Sequence, residues 1–296
     1  MQKAFSGYHP TVHLLFFLSV MLITMFIAHP VFSSASFLCS LIYAMYAGGK
    51  KALKITLLMI IPMAVLIAVI NPLFNHAGIT ILFYLYDGNP FTLESLVYGI
   101  FSGIAFSAIM LWCLCLRYTA STDGVLYLFG RISPKLSLLI SMILRFIPKF
   151  TAQFRTTCAA QKCIGRGADQ GNIFRRIHNA VRITSSVIGW TIENSVETAD
   201  SLRSRGYGLR HRGSYSLFCF EGRDAAAIAV ICICGISSFV CALSEKTEFF
   251  YFPMISPVET GLTDILVYAS FFILCLLPSF VGIKEDRKWK YLRSDL

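Results

Sequence analysis

The stretch Leu96-Val97-Tyr98-Gly99-Ile100-Phe101-Ser102-Gly103-Ile104-Ala105-Phe106-Ser107-Ala108-Ile109-Met110-Leu111-Trp112-Cys113-Leu114-Cys115-Leu116 contains no Asp, Glu, Lys or Arg. A helix of that length crosses the roughly 30 Å hydrocarbon core of a bilayer. Five more stretches are free of charge in the same way: 12–28, 31–47, 55–71, 225–243 and 265–283. Over the whole chain of 296 residues, 56% are apolar and 14% charged, whereas a soluble domain carries about 25% charged residues. The fold class that follows is an all-α membrane protein of about six transmembrane helices.

Local signals refine this reading. His29-Pro30 parts the first two stretches, because the residue before a proline is biased out of the helical region. Pro62 predicts a kink in the third. Lys3 ahead of an apolar run, with Ser33-Ser34-Ala35 after it, has features of a leader, but a second apolar run starts at once and argues against cleavage. Between 76 and 95 the β-prone Ile79-Thr80-Ile81-Leu82-Phe83-Tyr84 precedes Asp87-Gly88-Asn89-Pro90, a turn signal. A small hairpin or re-entrant element is expected there.

The charge is +10, and its placement is uneven. Lys50, Lys51 and Lys54 fall between the second and third stretches, so by the positive-inside rule that loop is cytoplasmic. Loops 29–30 and 72–95 then face outward without a lysine or arginine, and loop 244–264 has Lys246 alone. Both termini are expected in the cytoplasm of a bacterial or archaeal cell, with the chain multi-pass in its plasma membrane. Segment 117–224 holds 16 of the 26 lysines and arginines. Three regions result: N-terminal transmembrane helices over 1–117, a cytoplasmic region over 118–223, and C-terminal transmembrane helices with a tail over 224–296.

Within the cytoplasmic region, 134–150 is apolar but carries Arg145 and reads as a helix at the membrane interface. A helical stretch continues to about Ile164 and is closed by Gly165-Arg166-Gly167. A second runs from about Ser185 to Ser204 and is closed by Arg205-Gly206. On it Ile188, Ile192, Val196, Ala199 and Leu202 share one face, and Glu193, Glu197 and Asp200 another. An arginine at a helix C-terminus is explained by the macrodipole alone. Two amphipathic helices with matched Arg-Gly endings in one segment point further, to a shared partner-binding task.

Other chemistries fit less well. The ten cysteines are scattered without paired zinc-ligand spacing and read as packing residues. His9 and His13 have a spacing that can chelate metal, but no third ligand is evident. Glu193 and Glu197 lack a histidine partner and read as a solvated or partner-facing stripe. The basic region is poor in aromatic residues and tied between spans, against nucleic-acid binding. Gly48-Gly49-Lys50 lacks the upstream glycine and the hydroxyl of a phosphate loop, so ATP would be bound by another chain. The spans hold no ionisable carboxylate or cation for an ion-coupled carrier, nor the polar groups an intramembrane enzyme needs. An integral membrane enzyme and a non-transport membrane scaffold stand as the alternatives.

Ala160-Gln161-Lys162-Cys163-Ile164-Gly165-Arg166-Gly167-Ala168-Asp169 and Glu193-Asn194-Ser195-Val196-Glu197-Thr198-Ala199-Asp200-Ser201-Leu202-Arg203-Ser204-Arg205-Gly206-Tyr207-Gly208 resemble the two signatures of the T component of energy-coupling factor transporters. Leu144-Arg145-Phe146-Ile147-Pro148 and the stretch from Gly78 to Gly99 are also similar to that family. Its motif is Ala-Arg-Gly. Here Gly165 and Ser204 take the alanine positions, and Gly165 is expected to loosen the last turn of its helix. The resemblance implies a non-catalytic subunit of an uptake transporter of the ATP-binding-cassette class. Two ATPase subunits, which bind the ATP and Mg, would dock on Gly165, Arg166, Gly167, Ser204, Arg205 and Gly206. A separate membrane S component would capture a vitamin or a transition-metal ion such as cobalt or nickel. The resemblance implies no cofactor and no metal in this chain.

Overall fold

The computed structural model describes residues 7–84, 88–207, 218–242, 249–256 and 261–294. Its elements run α1 (Pro10–Phe26), α2 (Pro30–Gly48), α3 (Lys50–Ile55), a π-turn (Thr56–Ile60), α4 (Ile61–Phe74), β1 (Ile81–Tyr84), β2 (Pro90–Thr92), α5 (Leu93–Thr119), α6 (Thr122–Ile132), α7 (Pro134–Cys163), α8 (Ile173–Ser204), α9 (Gly222–Ala242) and α10 (Leu262–Ser294). They form two compact units, Met1–Val125 with Phe218–Leu296, and Leu126–Leu217.

Helix starts follow from local chemistry. α1 and α2 each begin with histidine then proline. Proline at the first helical position sacrifices a donor that has no partner anyway. The imidazoles of His9 and His29 accept the N–H of Thr11 and Val31, so each acts as the N-cap. His9 is therefore a capping residue, packed edge-on against Phe218 and Phe220. The kink expected at Pro62 takes the form of the π-turn just before it. Widening the helix there accommodates a ring that would otherwise crowd the preceding carbonyl.

The first unit packs around α5, with α2 and α4 as its main neighbours. Trp112 is fully buried between Phe16 and Phe17, and its indole N–H donates to Ser36 Oγ at 3.0 Å. Tyr43 and Thr119 share a hydrogen bond of 2.9 Å. Against α4, glycine supplies the fit. A Cβ at Gly99 would lie 2.8 Å from the Ala68 carbonyl oxygen, and one at Gly103 2.6 Å from that of Ala64. This is small-residue packing, in which helix backbones touch. Buried Asp224 accepts the N–H groups of His9 and Glu221, which ties the start of α1 to the start of α9. Cys39, Cys115 and Cys275 are buried as packing residues, whereas Cys113, Cys163 and Cys219 are exposed.

Among the described residues, six helices are long and apolar enough, by length and composition alone, to cross a membrane: Pro30–Gly48, Lys50–Phe74, Leu93–Thr119, Leu136–Cys163, Gly222–Val240 and Leu262–Glu285. The chain is an all-α membrane protein, but the membership of the six differs from the charge-free stretches. α1, with 17 residues, is apolar and shorter. α7 qualifies because it continues through Pro148 as one helix of 30 residues, so 134–150 is not a separate piece. Within 76–95, β1 and β2 pair antiparallel as expected of a hairpin, with Ile81 opposite Thr92 and Tyr84 opposite Pro90; Asp87 of the expected turn lies outside the described residues.

Candidate functional site

The second unit is built from α7 and α8, preceded by the end of α6. Phe150 meets Trp190 edge-on with ring centroids 6.3 Å apart. Ile143, Phe146, Ile147, Phe150 and Thr151 of α7 face Thr191 and Ser195 of α8 across a groove of about 460 Å³. The connection lies at 164–172, so α8 doubles back along α7. Ile183 and Val187 are its buried residues. α8 begins at Ile173 rather than near Ser185, because Asn172 caps it with its side-chain oxygen. Ile188, Ile192 and Val196, expected as an apolar face, are more than half exposed.

Both helices end in the same hydrogen-bond pattern. At the end of α7, Gly165 N–H donates to the Lys162 carbonyl at 3.1 Å and Arg166 N–H to that of Gln161 at 2.9 Å. At the end of α8, Gly206 N–H donates to the Arg203 carbonyl at 3.0 Å and Tyr207 N–H to that of Leu202 at 3.1 Å. Each is a Schellman closure, in which one left-handed residue lets two N–H groups turn back onto the last carbonyls. Gly165 and Gly206 supply it, at φ 72° and 71°.

The shared pattern exposes a difference between the two Arg-Gly pairs. Arg205 precedes its closing glycine and is the C-cap, whereas Arg166 follows its own and lies three residues past Cys163, the last residue of α7. In closure register, Arg166 corresponds to Tyr207, and Arg205 to Ile164. The endings match in geometry and are offset by two residues in sequence. Gly165 therefore does not loosen the last turn. It lies past Cys163, where glycine is the favoured residue, while Ser204 is the final helical residue and its Oγ donates to the Ser201 carbonyl.

Beyond Arg166 the chain is pinned. Gly167 N–H donates to Gln170 Oε1, and the Gly167 carbonyl accepts from Gln170 N–H and Asn179 Nδ2. Arg176 Nε donates to the Ala168 carbonyl. Lys162 and Asp169 form an ion pair at 2.6 Å, whose ammonium holds the Asp169 carboxyl below its ordinary range. Gly167 is buried, while Gly165, Arg166, Ser204 and Arg205 are exposed and Gly206 is half-buried. Gln170, Arg176 and Asn179 are scaffold residues that the motif alone does not mark.

The structure does not bring the two arginines together. Arg166 lies by the start of α8 and Arg205 at its end. Along the 32 residues of α8 this is roughly 48 Å.

A family of cobalt transport proteins, CbiQ, matches this chain over residues 2–215, a span that includes both closures. The chain belongs to that family. The energy-coupling factor transporter transmembrane protein EcfT 1 of Listeria monocytogenes is 26% identical over 187 residues, covering 58% of this chain and 69% of the relative. Transmembrane proteins EcfT of Streptococcus equi and Limosilactobacillus fermentum are each 26% identical over 106 and 110 residues, covering 36% and 37% of this chain. The chain spans about two fifths of the length of those two. The resemblance read from the two signatures is thereby shown: this CbiQ-family chain is a T component of the energy-coupling factor class, and its role is in transport.

Proposed function

We propose that this chain is the transmembrane coupling subunit of an ATP-driven uptake transporter, with α7 and α8 as coupling helices for two cytoplasmic ATPases. The observation that carries the reading is the pair of closures that present exposed Arg166 and Arg205 at opposite ends of α8. Two equivalent ATPases need two docking points far enough apart to seat both, and a continuous helix holds such points at fixed separation. Arginine suits the task because its guanidinium is always charged and donates several directed hydrogen bonds. The small residues beside it, Gly165, Ser204 and Gly206, let a partner's surface approach the backbone.

In this reading the ATP and Mg belong to the partners, and this chain is non-catalytic. A membrane S component captures the cargo, a vitamin or a transition-metal ion. The family's description favours the metal. Lys50, Lys51, Lys54 and the basic second unit lie in the cytoplasm with both termini, and the β1–β2 hairpin faces outward.

The test is co-purification of the ATPases and cargo uptake for Arg166→Glu, Arg205→Glu and the double variant. Loss of one buried interfacial charge partner costs about 2–5 kcal/mol, so each single variant should weaken assembly more than tenfold. The double variant should lose ATPases and uptake while remaining in the membrane. Normal ATPase retention and uptake in the double variant would overturn the reading and leave the arginines as helix-end cations.

A further inference from the structure

We propose that the β1–β2 hairpin is a membrane-interface anchor whose apolar strand lies among phospholipids at the boundary of headgroups and acyl chains. Successive side chains of a strand point to opposite faces. Ile81, Leu82, Phe83 and Tyr84 are all 45–66% exposed, so both faces of β1 are apolar and uncovered. Phe83 stacks on Phe91 with centroids 4.5 Å apart, which sets a flat aromatic pair on one face. Between 75 and 93 the sequence has one Asp, Glu, Lys or Arg, Asp87 in the connection between the strands.

Lipid is the occupant that the surroundings favour. The hairpin continues directly from the end of α4, where Val69, Ile70, Leu73 and Phe74 are exposed, Phe74 by 81%. That helix is apolar and long enough, with α3 and the π-turn, to be a span. Its uncovered surface therefore meets acyl chains and delivers the hairpin at the membrane surface. Depth is limited by the backbone. Among the described residues the sheet has two strands and hence two open edges, and peptide groups on an open edge are not tolerated in hydrocarbon. At headgroup level water completes those hydrogen bonds while the side chains reach the acyl boundary. Aromatic residues concentrate at that level for the same reason.

The base of the hairpin is fixed. Buried Glu94 in the first turn of α5 accepts from the N–H and the hydroxyl of Thr80. Thr92 Oγ1 donates to the Ala77 carbonyl at 2.8 Å, and Ser95 Oγ to that of Asn75 at 2.6 Å. The depth of the strand in the interface is therefore passed to the ends of α4 and α5. This holds whether or not α7 and α8 bind ATPases.

The test uses the full chain in phosphatidylcholine vesicles, with Phe83→Trp and Tyr84→Trp made separately. The emission each adds over the parent is measured with bromine atoms near the headgroup end or near the methyl end of the acyl chains. Residues 83 and 84 lie on opposite faces, so both added signals should be quenched, each losing more than half its intensity to the shallow bromines and less to the deep ones. Both variants keep an aromatic ring, and Tm in detergent should stay at the parent value. Quenching at neither position, or at one alone, would overturn the anchor and assign the uncovered face to water or to a protein partner.

Discussion

Gly165 and Gly189 are both glycines of the second unit, and they should respond in opposite ways to the same change. Gly165 sits at φ 72° with open space around its Cβ position. Alanine there meets no neighbour but must adopt a left-handed backbone, at about 1–2 kcal/mol. Gly189 lies inside α8 with nothing near a built Cβ, so alanine should stabilise it by roughly 0.5–1 kcal/mol. Amide exchange over the last turn of α7 should accelerate in Gly165→Ala, and exchange within α8 should slow in Gly189→Ala. The arginines were legible in the sequence as a repeated dipeptide. Which glycine closes α7 was not, because Arg166 has one on each side and only the backbone hydrogen bonds select between them. His29 gives a second expectation. Its ring caps α2 and shares a 3.1 Å hydrogen bond with Tyr268, and burial pushes its pKa below the ordinary 6.5 while Asp264 pulls the other way. A base with a depressed folded pKa contributes stability above its unfolded pKa and loses it as pH falls toward the folded value. Tm in detergent should thus drop between pH 7.5 and pH 5.5, chosen to bracket about 6.5, and drop less in His29→Gln.

Among the helices, five of the six charge-free stretches coincide with helices of span length, and 12–28 falls in the shorter α1. α8 was read short because its first half holds Arg175, Arg176, His178 and Arg182. Those residues are exposed on a helix that needs only Ile183 and Val187 to be buried, so hydrophobic periodicity is weak where the helix begins. α7 was divided after Phe150, where the apolar half gives way to a polar one, although one helix of 30 residues runs through both halves. The α4–α5 contact yields a prediction of its own. A methyl at Gly103 would press on backbone at Ala64, which cannot swing aside as a side chain does. Gly103→Ala should cost about 1–3 kcal/mol and lower Tm measurably in detergent. Gly235→Ala is the control, since its Cβ would meet Ser19 at 3.8 Å, an ordinary contact, and inside α9 the change should not lower Tm.

For the molecule as a whole, α8 fixes more than the separation of its two ends. A helix turns by about 100° with each residue, so the directions in which Arg166 and Arg205 point are locked in phase as well as in distance. Inserting one alanine after Gly189 would lengthen α8 by about 1.5 Å yet swing one end through about 100°. Inserting seven would lengthen it by about 10.5 Å and restore the phase to within about 20°. If two rigid ATPases read the arginines by direction, the single insertion should impair uptake at least as much as the sevenfold one. If they tolerate rotation and read span alone, the order reverses. The helix is in this sense a timing shaft between two docking points, and comparing uptake by the two insertion variants measures whether angle or length is what the partners sense.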